Sequence, residues 1–146
     1  MTSLNSKKPR FESLQQAIDW LHESHDQFDW TGIYFLRGNN LELGPFQGAP
    51  TEHKIIKVGV GICGRAVAEN IDLNIPDVTL ESNYLACSVA TRSELVCLIR
   101  DNTGQVLGQI DIDSHQLDAF TPQLQSKVQK LADELGHYYA HLFKSR

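Results

Sequence analysis

Two apolar runs on either side of a strong turn constrain this chain most. "SELVCLIR" (93–100) and "QVLGQIDIDS" (105–114) flank Asp101-Asn102-Thr103-Gly104. Val, Ile and Leu suit a pleated, buried surface. Asp, Asn and Gly each let a backbone reverse, by local hydrogen bonding or by tolerating positive φ. The stretch predicts a β-hairpin and commits the chain to an antiparallel sheet. Alternation then sorts the side chains: Glu94, Val96 and Leu98 share one face of the first strand, and Leu95, Cys97 and Ile99 the other. Cys97 therefore points away from Glu94 and reads as a small core hydrophobe.

The rest of the pattern fits around that hairpin. Phe11, Leu14, Ile18 and Leu21 recur at helical spacing and predict an amphipathic helix over 11–24. "WTGIYFLR" (30–37) and "NLELGPF" (40–46) are β-rich and meet at Gly38-Asn39, a hairpin turn. "HKIIKV" (53–58) reads as a further strand, and "GVGICG" leads into a short helix, "RAVAEN". Thr121-Pro122 supplies a cap and a first-turn proline for a long helix reaching 143. Its apolar stripe is Leu124, Val128, Leu131, Leu135, Tyr138 and Leu142. The order is α+β, with the helices packed on one face of the sheet.

Composition narrows the function classes. The 146 residues read as one domain, 1–146, with a flexible tail over 1–9, and suffice for a core without disulfide or metal staples. A net charge of −5 argues against nucleic acid, which calls for clustered Lys and Arg. No apolar run is long enough to span a membrane and no signal peptide opens the chain, so a cytoplasmic protein is expected. Three cysteines, an odd number, do not make a secreted disulfide framework. In a reducing compartment they are buried hydrophobes or redox-active thiols.

Several clusters carry possible chemistry. "GVGICG" (59–64) matches the dinucleotide fingerprint, but hairpins flank it where β-α-β units should be. Its glycines are better read as a tight turn that brings Cys63 to a helix start, where backbone amides favour a thiolate. Cys87 lies in "ESNYLACSVATRSE", a polar and irregular stretch where a ligand can reach a thiol. A nearby Arg92 would favour its thiolate, and catalysis and simple packing both remain open for it. Asp111 and Asp113 sit two apart on a strand, so their carboxylates share a face. If neighbouring strands bring Glu94 beside them, three acids converge, at a cost unless they bind a cation or share a proton. The other reading is a solvent-facing acidic row. A divalent metal is a further reading of the cluster, but no complete ligand set is visible and no metal is expected. His22 with His25, and His137 with His141, have helical spacing but no third ligand, and read as surface histidines.

Taken together, "WTGIYFL", "LELGPFQGAP", "VGVGICGRAVAEN", "IPDV", "YLACSVATRSELV" and "VLGQIDIDS" resemble the free methionine-(R)-sulfoxide reductases, a catalytic branch of the GAF-domain fold. The resemblance runs from about Trp30 to the C-terminal helix. It implies a six-stranded antiparallel sheet with N- and C-terminal helices on one face, and the reduction of free L-methionine (R)-sulfoxide to methionine. By position, Cys87 stands for the catalytic cysteine and Cys63 for a resolving one. Glu94, Asp111 and Asp113 fall on the acidic substrate-binding positions, and Trp30 and Tyr34 on the aromatic wall. Glu94 or Asp111 would supply the proton to the departing oxygen. The resemblance implies no bound cofactor, recycling by external thioredoxin and NADPH, and a homodimer.

The chain departs from the family pattern in places. A further cysteine usual between "GPFQG" and the glycine turn is missing, Ser88 stands where an aspartate is usual, and Leu98 replaces a proline. The implied cycle therefore uses two cysteines: a Cys87 sulfenic acid, then a disulfide with Cys63. The alternatives are a non-catalytic GAF module that binds a small ligand, or a redox-sensing thiol switch; binding of free methionine sulfoxide separates the reductase from the switch.

Overall fold

The computed structural model describes residues 9–82, 84 and 89–144. The expected tail over 1–9 therefore lies almost wholly outside the described residues, as does the expected nucleophile, Cys87.

The elements run α1 (Leu14–Glu23), β1 (Trp30–Arg37), β2 (Asn40–Gln47), β3 (Ile55–Lys57), α2 (Gly61–Glu69), β4 (Leu73–Ile75), β5 (Ser93–Arg100), β6 (Val106–Ser114) and α3 (Pro122–Tyr138). The strands form one six-stranded sheet in the order β3-β2-β1-β6-β5-β4. Every neighbouring pair is antiparallel. Both predicted hairpins are present. Arg37 pairs with Asn40 across a two-residue turn whose first residue, Gly38, has φ of 59°. In the second turn Asp101 Oδ1 accepts hydrogen bonds from the amides of Thr103 (2.9 Å) and Gln105 (3.1 Å), fixing the reversal.

α1 and α3 cover one face of the sheet, as expected. Ala17, Ile18 and Leu21 of α1 and Val128, Leu131 and Leu135 of α3 pack on Leu95, Cys97, Ile99, Ile110 and Ile112. Ser13 caps α1 by accepting from the Gln16 amide (3.1 Å), and Thr121 caps α3 by accepting from Leu124 (3.2 Å). The expectation that all helices share that face is corrected by α2. It packs on the opposite face, where Ile62, Cys63 and Ala66 join Trp30, Tyr34, Val96 and Leu98. The central strands are thus buried on both sides, one side aliphatic and the other carrying the polar residues described below.

Other boundaries also move. α1 begins at Leu14, and Phe11 is buried outside it. β3 is shorter than 53–58, and α2 starts at Gly61, ahead of "RAVAEN". α3 stops at Tyr138, followed by a 3₁₀ turn at Ala140–Phe143. That tighter turn takes Leu142 off the stripe, leaving it 39% exposed, while Phe143 is buried instead.

Candidate active site

Register, more than sequence proximity, assembles the site. Across β5, β6 and β1, Glu94 lies opposite Asp113, which lies opposite Trp30. The next row on the same face is Val96, Asp111 and Gly32, and the next Leu98, Gln109 and Tyr34. Since a strand's side chains alternate, these all project toward α2. The null width of Gly32 matters here: a Cβ would overlap the six-membered ring of Trp30, so the indole lies over the strand where a side chain would stand.

Two aromatics and a hydrogen bond fix that indole. Its ring stacks on Phe46 (centroids 5.5 Å, 15°) and on Tyr34 (6.3 Å, 29°). Its Nε1–H donates to the Ala49 carbonyl (3.0 Å), and Tyr34 Oη donates to the His53 carbonyl (2.8 Å). A bulge at Gly44–Pro45, where the β1–β2 register slips, sets Phe46 against the indole. Trp30 and Tyr34 thus form an apolar surface beside the acidic rows.

The acids are fully enclosed. Glu94 is 3% exposed, Asp111 0% and Asp113 2%, so the reading of a solvent-facing acidic row is excluded. No ion pair between described residues involves Glu94 or Asp111. Burial, then the charges of Asp111 and Asp113, hold the Glu94 carboxyl well above the usual carboxylate range. Burial also raises Asp111, while its neighbours Glu94 and Cys63 pull it back down. Of these two carboxyls, Glu94 is the one its neighbours' charges push further toward the neutral form.

Cys63 completes the cluster. α2 brings it in from the glycine turn, where Gly64 packs so tightly that a Cβ would overlap the Lys57 carbonyl. The thiol lies 3.6 Å from Glu94 Oε2, and donor atoms of Cys63, Glu94 and Asp111 lie within 4.8 Å of one another. These three are the described residues with the geometry to hold a metal ion. The glycine turn is no phosphate cradle: the amides of Gly59, Val60 and Gly64 donate to the carbonyls of Gly64, Lys57 and Val60.

Of the residues expected from sequence, the structure brings together Cys63, Glu94, Asp111, Asp113, Trp30 and Tyr34. Cys87 lies outside the described residues. Arg92, proposed beside it, is exposed, and its amide donates to the Ser114 carbonyl (2.8 Å). Cys97 is fully buried on the aliphatic face, where burial pushes its thiol far up. The histidines act as partners, not ligands: His22 bonds Thr31 Oγ1 (2.8 Å) and His137 bonds Asn102 Oδ1 (2.9 Å). Both are half-buried, so the reading of simple surface residues is too bare.

Sequence reasoning missed Gln109 and Phe46. Gln109 is fully buried and its Nε2 donates to the Cys63 carbonyl (3.0 Å), tying α2 to β6. Its alternation with Asp111 was the available signal. A separate hollow of about 310 Å³, lined by Glu12, Leu14, Phe35, Pro45 and Leu142, opens beside the start of α1. It holds no thiol and lies away from the acids.

Known proteins resemble this chain in sequence and fold. No family model matches the chain. It is 38% identical over 116 residues to the free methionine-R-sulfoxide reductase of Escherichia coli, covering 79% of this chain and 68% of that one. Among solved structures, the type II free methionine-R-sulfoxide reductase of Thermoplasma acidophilum superposes with a TM-score of 0.84 at 36% identity, covering 89% and 91% of the two chains. The Neisseria meningitidis enzyme, solved with its substrate, gives 0.78 at 31%, covering 84% and 73%.

Proposed function

The chain belongs to the free methionine-R-sulfoxide reductase family, and from that premise we propose that it reduces free L-methionine (R)-sulfoxide to methionine. The observation that carries the proposal is the enclosed trio of Glu94, Asp111 and Asp113 with a thiol 3.6 Å from Glu94. Buried carboxylates call for a cation, and the ammonium of a free amino acid supplies one. The Trp30–Tyr34 wall takes the apolar part of the side chain. Relatives with this name and fold favour the enzyme over a non-catalytic GAF module.

The Cys87 thiolate attacks the sulfoxide sulfur. The S–O bond breaks as its oxygen passes to the Cys87 sulfur, and the carboxyl of Glu94 delivers the proton that this oxygen needs. A neutral carboxyl is required for that, and Glu94 is the one that burial and its neighbours keep protonated. The products are methionine and a sulfenic acid on Cys87. Cys63 then displaces that hydroxyl as water to form a disulfide, which a thioredoxin-class dithiol, recharged by NADPH, reduces. Asp111 and Asp113 hold the substrate ammonium.

The chain needs no bound cofactor and works in the cytoplasm as a homodimer paired through its terminal helices. No helix of the described residues is long and apolar enough to cross a membrane. Exposed Trp20 on α1 and Leu142 after α3 support the pairing. A turnover assay with free methionine sulfoxide and the two cysteine variants tests the chemistry; unchanged turnover in Cys87→Ser would refute the nucleophile.

A further inference from the structure

We propose that Cys63, Glu94 and Asp111 bind one soft divalent cation of the zinc class, in competition with the substrate's ammonium group. The donor set comes first. A thiol sulfur and two carboxylates converge from three elements, α2, β5 and β6, with donor atoms within 4.8 Å of one another. Zinc accepts this mixture of sulfur and oxygen, whereas magnesium and calcium favour six or more oxygens. With Zn–S near 2.3 Å and Zn–O near 2.1 Å, a tetrahedral angle places sulfur and oxygen about 3.6 Å apart. The Cys63 sulfur and Glu94 Oε2 stand 3.6 Å apart.

A second observation comes from Asp111. Both its oxygens are sealed from solvent, and the described side chains that interact with them, Glu94 and Cys63, are the other two proposed ligands. A buried carboxylate left in that state is costly, and a cation in the cluster removes the cost. Trp30 and Tyr34 offer no competing charge, since their polar atoms donate to the Ala49 and His53 carbonyls. Three protein ligands leave the fourth tetrahedral position open. Such a cation would occupy the acids that hold the ammonium and engage the resolving thiol. The metal site stands on its own geometry, whereas the competition rests on the reductase reading.

The test uses the reduced full-length chain without substrate, titrated with Cd²⁺ as the spectroscopic probe and with Zn²⁺ as its competitor. Cadmium bound to a thiolate gives an ultraviolet charge-transfer band. We expect one equivalent to bind and Zn²⁺ to displace it. The band should persist in Cys87→Ser and Cys97→Ala and vanish in Cys63→Ser. Affinity should fall at least tenfold in Asp111→Asn and in Glu94→Gln, with cooperative unfolding confirming that each variant is folded. A band that survives in Cys63→Ser, or disappears in Cys87→Ser, overturns the site. Free methionine sulfoxide should weaken Cd²⁺ binding, and an unmoved apparent Kd overturns the competition. Because no turnover is read, failure here leaves the reductase reading standing, and an inactive protein that binds Cd²⁺ leaves the metal site standing.

Discussion

Glu94 and Asp113 face one another across the β5–β6 pair, two buried carboxyls at directly opposed positions of an antiparallel ladder. Asp111 is one row away on the same face, so each negative charge raises the cost of the next. Burial and those charges push the Glu94 carboxyl well above the usual carboxylate range. That makes it the acid of the proposed reaction and exposes it to two independent measurements.

The first is stability against pH. Below about pH 4, Glu94 is protonated in both folded and unfolded chains. As pH rises, the unfolded chain ionises it first while the folded chain holds the proton, so stability is lost progressively until pH passes the raised folded value. Glu94→Gln removes that loss. Urea midpoints from pH 4 to 9 should show the variant gaining on the wild type as pH rises, whereas parallel curves would mean Glu94 titrates normally.

The second is rate. Removing the acid should lower kcat by about 10²–10⁴-fold at neutral pH. Gln cannot deliver a proton, so the loss should appear in single-turnover rates and not only in steady-state turnover.

Cys63→Ser separates chemistry from recycling. One equivalent of methionine per chain should still form in a single turnover, because attack by Cys87 precedes any disulfide. Thioredoxin-supported turnover should fall to background. A variant that recycles normally would show that Cys63 resolves nothing.

Gly32→Ala tests the aromatic wall. The added Cβ meets the Trp30 ring, and Phe46 lies behind that ring. Overpacking costs about 1–3 kcal/mol, and a displaced indole should raise KM more than it lowers kcat. Thermal unfolding and Michaelis curves read the two effects separately.

Cys97→Ala is the control. Its thiol is fully buried and pushed up by that burial, so it should resist thiol reagents in the native protein. The substitution should cost about 1 kcal/mol of stability and leave turnover unchanged.

Much of this was legible in the sequence because it is local. The β5–β6 hairpin is contiguous, so alternation put Asp111 with Asp113 and turned Glu94 away from Cys97, while the strand register brought Glu94 to the aspartates. Trp30 opposite Asp113 was not legible by the same means, because β2, β3, α2, β4 and β5 lie between β1 and β6 in the chain and the register depends on the whole sheet. β4, three residues long, gives too short a pattern to register. The start of α2 was hidden by glycines, poor helix formers that tertiary packing overrides. At the end of α3 no glycine or proline follows Tyr138, so the stripe read on to Leu142 with nothing to stop it. For the active centre as a whole, the family resemblance supplied roles that spacing could not.

The most direct measurement is consumption of racemic free methionine sulfoxide by the reduced full-length chain with thioredoxin and NADPH, resolved by diastereomer, for the wild type and Cys87→Ser. The account predicts that the R form alone disappears, with one methionine per NADPH, and that Cys87→Ser consumes neither. Wild-type protein that leaves both diastereomers untouched, or a serine variant as fast as the wild type, would contradict it.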